Sequence, residues 1–375
     1  MKITPFVLAV MLLASLVQAD DIATIKAVGP GASGAADARA ASAALAKGGV
    51  KNLLPILKAF RGSSPLASNW LRSSFESIAD AEIKAGAAIP KDDLIVFVKT
   101  TSESPAARRL AYEWLLKRSP QIADQLIPEM LLDPGSDFRR DAVDRLLNQA
   151  SAAEADAAVA LYRTALQGAV HEDHVQKIAK ALRDAGDEVN IQSHFGFLNE
   201  WQIVGPFDNK DKQGYPVAYP PEQSIDLQAE YDGQLGKVKW APISTEDDYG
   251  LVDIATQIEN YKGSLMYATT TYTSSKDQSV EFRLGTPNAW KLWVNGELVF
   301  EREEYHRSTS MDQYKIPVSL KAGDNTVMLK VCQNEQDDSW AQKYQFQLRV
   351  CDSTGSGIPS TNKTARHENV QGATK

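Results

Sequence analysis

Two polar stretches hold side chains whose types and spacing could do chemistry. Residues 301–312, EREEYHRSTSMD, offer Tyr305, His306 and Arg307, and residues 333–343, QNEQDDSWAQK, offer Asn334, Asp337, Asp338 and Trp340. Aromatic platforms beside amides and carboxylates suit a ligand with apolar ring faces and a rim of hydroxyls, which describes a sugar. The plain alternative is two solvated loops with Trp340 tucked under one of them. A further aromatic, Trp293, lies in WKLWVNGELVF. Alternation along a strand puts Trp290, Leu292 and Val294 on one face and Lys291, Trp293 and Asn295 on the other. Leu292 and Val294 belong inward, with Trp290 at the end of the core. Trp293 then faces outward, to stack on a sugar or to be covered by a helical domain.

Other constellations point less far. Glu335, Asp337 and Asp338 could supply oxygens to a structural Ca²⁺, but alternating acids on a loop are common without any metal, and no cofactor is expected. The HEDH run from His171 to His174 is one residue short of the zinc-binding HExxH spacing and lacks a third ligand. Glycosidases need two carboxylates facing each other across the sugar. Glu303-Glu304 and Asp247-Asp248 are sequence neighbours, which a strand would point oppositely. The chain has no GxSxG elbow, Walker loop or CxxC pair, so no catalytic residue is nominated.

The elements that must position these residues change character once. From 37 to 195 the chain is rich in Ala and Leu with helical periodicity. In SPAARRLAYEWLLKRSP, Ala107, Leu110, Ala111, Trp114 and Leu115 share a face, and Ser104 before Pro105 reads as an N-cap followed by proline at the first helical position. Arg109, Ala111 and Leu115 reappear 31 residues later as Arg140, Ala142 and Leu146, and Pro65 precedes Pro105 by 40. These segments, over about 60–150, resemble HEAT-type helical repeats, which implies a scaffold with a curved interaction surface. An irregular helical bundle is the alternative.

From 196 to 352 the pattern is of strands, expected near 200–204, 237–244, 264–273, 278–284, 290–294, 297–301, 312–319, 325–332 and 343–351, and hence of an antiparallel β-sandwich. Val294-Asn295-Gly296 forms a tight hairpin turn, and Leu320-Lys321-Ala322-Gly323-Asp324-Asn325 precedes a core strand. This order, over about 260–351, resembles the galactose-binding-like jelly rolls found in secreted bacterial proteins and glycoside hydrolases. The resemblance implies glycan binding without identifying a site, because both motifs have turn-forming jobs of their own.

The remaining signals concern compartment and ends. Residues 1–19 read as a cleavable export signal: Lys2, an apolar run, then Val17-Gln18-Ala19. An exported protein, periplasmic or extracellular and not membrane-spanning, is expected. The formal charge of −8 argues against a nucleic-acid partner. Residues 20–36 contain GxGxxG at Gly29, Gly31 and Gly34, but with an export signal before it a flexible linker is expected rather than a dinucleotide fold. A disordered tail is expected from 353 to 375. Cys332 and Cys351 end consecutive strands and, as antiparallel neighbours, would lie at opposite ends, so free thiols are favoured. The expectation is a helical domain followed by a β-sandwich. It would be a non-catalytic binder of a glycan, or else a protein-interaction or envelope component, or a hydrolase with its site in the domain cleft.

Overall fold

The computed structural model describes residues 19–361. It has helices first and antiparallel sheets after, and divides into two compact units between residues 149 and 150. The division falls earlier than the expected 195/196, so the helices Ala155–Gly168, Glu172–Asp184 and Ile191–Phe195 belong to the same unit as the sheets. The expected export signal lies outside the described residues save for Ala19. Residues 20–36 correct the expected linker: 19–26 are helical, Pro30–Ala32 form a 3₁₀ turn, and Ile25 and Val28 are buried in the helical core. The three-residue spacing of Ile22, Ile25 and Val28 gives this segment an apolar edge to bury. Among the described residues no strand precedes its glycines.

In the first unit the helix Pro105–Arg118 buries the expected face, with Ser104 at the N-cap. Ser64 caps the helix Pro65–Lys84, its hydroxyl accepting from the Ala67 amide at 3.1 Å. The 31-residue spacing also relates Arg108 to Arg139, both of which are buried. Arg108 grips both carboxylate oxygens of Asp133, at 2.8 and 2.6 Å, and donates through Nε to the Val98 carbonyl; Arg139 donates through Nε to the Asp133 carbonyl. Arg109, on the more open side, pairs with Asp141 and Glu113.

The described residues of the second unit carry twelve strands: β1 Glu200–Asp208, β2 Glu230–Gly233, β3 Gly236–Lys239, β4 Ala241–Ser244, β5 Val252–Asp253, β6 Ser264–Ser274, β7 Gln278–Gly285, β8 Ala289–Val294, β9 Glu297–Arg302, β10 Tyr314–Leu320, β11 Gly323–Gln333 and β12 Gln345–Cys351. They form a six-stranded sheet, β4-β1-β6-β11-β8-β9, a four-stranded sheet, β10-β7-β12-β5, and the β2-β3 hairpin. Every pairing is antiparallel. The core lies between the two large sheets, with Trp290, Leu292, Val327 and Leu329 from one and Phe282, Leu284, Phe346 and Leu348 from the other. The expected strand 237–244 is split at Trp240 into β3 and β4, which enter different sheets.

The turn at Asn295-Gly296 has φ of 53° and 81°, as a two-residue hairpin requires. Asn325 is fully buried next to it. Its amide donates to the Lys321 and Gly323 carbonyls, while its oxygen accepts from the Lys321 amide and from Asn295 Nδ2 at 2.9 Å. Asn295 in turn accepts from the Thr326 amide. The two sequence motifs thus form one hydrogen-bonded corner.

Both cysteines are free and buried. The reason differs from the expected one: β11 and β12 lie in opposite sheets rather than side by side. Residues 353–361 also correct the expected tail. The Ile358 amide donates to Val350 O, Tyr272 Oη donates to Ile358 O, and Ser360 Oγ accepts from the Thr273 amide, so 353–361 is laid along the sandwich. Residues 362–375 lie outside the described residues.

Candidate functional site

The inner face of the six-stranded sheet is spent on the core, so any site on this sheet must use its outer face. Strand register sorts that face into rows. One row runs Pro242, Gln202, Thr269, Met328, Trp293, Leu298, each opposite the next across the six strands. One pleat along, Ser244 lies opposite Glu200 and Thr271 opposite Thr326, with Asn295 bonded to Thr326. On the other side, Val204, Tyr267, Lys330, Lys291 and Glu301 make a third row. The first two rows, Leu298 excepted, floor a groove of about 1120 Å³. Its centre is apolar, with Met328 and Trp293 set flush (Trp293 is 8 % exposed), and its margin is a line of exposed hydroxyls and amides.

The third row carries the wall. Lys330 is fully buried, and its ammonium donates to the carbonyls of Tyr215 (3.0 Å) and Val217 (2.7 Å) and to Glu222 (2.9 Å). Tyr267 also donates its hydroxyl to Glu222. Burial lowers the Lys330 pKa and Glu222 partly restores it; burial, then the bond to Glu222, pushes the Tyr267 hydroxyl well up. Lys291, opposite Lys330, is offset by its own carboxylate, Glu301, at 2.9 Å, and sits over the Tyr215 ring. Three donors meeting three acceptors clamp 215–222 onto the sheet. The chain that follows, Gln223, Ser224, Ile225 and Leu227, rises as one side of the groove.

The sequence-based candidates separate into two places. Trp293 takes the outer face, as alternation requires. It is packed within its own unit, in a cluster with Phe207, Tyr215, Tyr231, Trp240, Tyr267 and Met328, and keeps only a small part of its surface open to the groove. The two loops do meet each other. His306, at φ 57°, hydrogen-bonds Asn334 Oδ1 through Nε2 at 2.6 Å and stands edge-on to Trp340 at 5.3 Å. Tyr305 packs on the outer-face cluster, and its hydroxyl accepts from Asn209; burial pushes its pKa up. Arg307 pairs with Glu304. Asp337 and Asp338 accept from Gln342 and Gln336, and Glu335 from the Asp211 amide. Trp340 is 59 % exposed rather than tucked under a loop. None of these loop residues lines the groove.

Among the described residues, no three His, Cys, Asp or Glu side chains converge as a metal site. The carboxylates at the groove are Glu200 and Glu222, the latter committed to Lys330 and Tyr267. The sequence reading missed Gln202, Thr269, Thr271, Thr326 and Met328. The run ATTTYT at 268–273 was the available signal, but only strand order makes it a groove floor.

No family model matches the chain, and no curated protein does. Among solved structures, a β-glucosidase from Kluyveromyces marxianus in complex with glucose is 13 % identical with a TM-score of 0.26, covering 40 % of this chain and 16 % of that one. The PA14 domain of an antifreeze protein is 12 % identical with a TM-score of 0.26, covering 44 % and 87 %. An anti-sigma factor domain-containing protein is 15 % identical with a TM-score of 0.23, covering 45 % and 49 %. The chain therefore spans about a sixth of the β-glucosidase. Likeness at these TM-scores carries no weight for function.

Proposed function

We propose that the protein is an exported, non-catalytic binding protein whose β-sandwich holds a glycan, with the helical unit as a HEAT-like scaffold. The observation that carries this reading is the groove on the outer face of the six-stranded sheet. Its flush Trp293 and Met328 offer apolar surface to a sugar ring, and Gln202, Thr271, Thr326 and Ser244 offer donors and acceptors to the rim. At about 1120 Å³ it is larger than the roughly 300–1,000 Å³ typical of small-molecule sites, in keeping with an oligomer.

The test is binding of the full chain to a broad polysaccharide panel, with Thr271→Trp and Trp340→Ala beside the wild type. Thr271 is exposed on a strand, where tryptophan is tolerated, so the first change fills the groove and spares the core. Loss of binding with Thr271→Trp and retention with Trp340→Ala is the expected result. The reverse pattern moves the ligand to the 333–343 loop. Silence across the panel favours protein partners, for which the exposed Val96 and Leu132 of the helical unit, 66 % and 63 % accessible, are the first surface to probe.

A further inference from the structure

We infer that the groove takes an internal run of a neutral polysaccharide and turns away polyanionic chains; this rests on the glycan reading of the same groove. The first ground is the charge inventory. Among the described residues lining the groove, the charged side chains are Glu200 and Glu222, and no Lys, Arg or His lines it. The cations nearest by register are already committed. Lys330 spends its ammonium on two carbonyls and Glu222, and Lys291 pairs with Glu301 while covering the Tyr215 ring. A ligand carboxylate or sulfate entering here would give up water without gaining a cation from any described residue of the lining. Hydroxyl groups face no such penalty, since the second row is built of Ser244, Thr271, Thr326 and Asn295.

The second ground is shape. The groove crosses β4, β1, β6, β11 and β8 in turn. At about 4.8 Å per strand its floor is roughly 19 Å across, several sugar rings long. A single ring would leave most of it to water. The Asn295-Gly296 turn and Pro242 and Ser244 of β4 mark its two ends, and all four residues are exposed.

The experiment is titration calorimetry of the full chain against polysaccharide pairs that share a backbone and differ in charge. Hydroxyethylcellulose is set against carboxymethylcellulose, and β-1,4-mannan against polymannuronate, at low ionic strength where charge effects are largest. In at least one pair the neutral member should bind, with its charged counterpart at least about tenfold weaker. Glu200→Lys should narrow that ratio, and Thr271→Trp should remove the neutral binding. Charged members binding as tightly as neutral ones, a ratio unmoved by Glu200→Lys, or discrimination surviving Thr271→Trp would each overturn the inference while leaving glycan binding in place. Silence from both members of every pair instead removes the glycan reading, and this inference with it.

Discussion

Asn325 shows how a single residue can look like a motif and act as a joint. It makes hydrogen bonds in two directions from a fully buried position, to its own turn and to Asn295 of the β8-β9 hairpin. Asn325→Ala would strand several buried donors and acceptors and should destabilise the sandwich by about 3 kcal/mol. Urea unfolding followed by tryptophan fluorescence checks this, as a lower midpoint at an unchanged slope. The sequence showed both asparagines as turn residues, because turn chemistry is local. It could not show that they touch, because that depends on a pairing between β8 and β11. The cysteines make a second residue-scale case. Burial pushes the Cys332 thiol up to about 12 and the Cys351 thiol up to about 11. Neither should react with a thiol reagent at pH 8 in the native protein, and both should react in denaturant; one thiol labelled rapidly in the fold would contradict this.

Among the elements, the loop leading into β10 is fixed by charge rather than by packing. Asp312 sits between two guanidiniums: Arg349 at 2.6 and 2.7 Å, and Arg283 at 2.6 Å. Burial by itself would raise the Asp312 carboxyl, but Arg349 and Arg283 more than reverse that and hold it below its ordinary value. Because the folded value is depressed, the pair contributes fully above the unfolded value of about 4 and is lost as pH falls through the folded one. The sandwich should therefore lose stability below about pH 4. Asp312→Asn should flatten that acid limb and cost about 3 kcal/mol at neutral pH, since buried Arg349 then loses its carboxylate and Arg283 keeps only Glu281. Thermal midpoints measured from pH 3 to 7 decide both points. Eight of the described strands were legible one for one as stretches of alternating sequence and β3 and β4 were read as one, yet of their neighbours only the β8-β9 hairpin was. Alternation records which face a side chain takes, and strand order is a matter of contacts between residues far apart. The groove, being a product of order and register, was invisible for that reason, whereas the outward placement of Trp293 was not.

For the whole molecule, the main difference from the sequence reading is where the chain divides. The change in composition near 195 marks a change in secondary structure, but the last helices are tied to the sheets. Arg349 donates to the Phe195 carbonyl, Arg183 grips both oxygens of Asp248 at 2.8 Å, and the Val350 amide donates to Gly196. Composition cannot register such ties, since each is made by a few side chains across the boundary. A fragment starting at 150 should consequently unfold at a higher temperature than one starting at 196, by several degrees in a thermal scan. Equal midpoints would mean that those helices contribute nothing to the sheets.

The burial of Lys330 has a consequence for how this surface can change. The segment that walls the groove hangs from the sheet through the Lys330 ammonium and the Tyr267 hydroxyl, and two of the ammonium's three receptors are main-chain carbonyls, of Tyr215 and Val217. Main-chain acceptors are indifferent to the side chains that bear them. The stretch beyond Glu222 can therefore be rewritten almost freely while the anchor holds, as in antibody domains, where a conserved frame carries interchangeable loops. Lineages sharing this sandwich should diverge fastest at 223–227 and slowest at the lysine beneath them, and a library randomised over those five positions would be the natural starting point for redirecting what the groove selects.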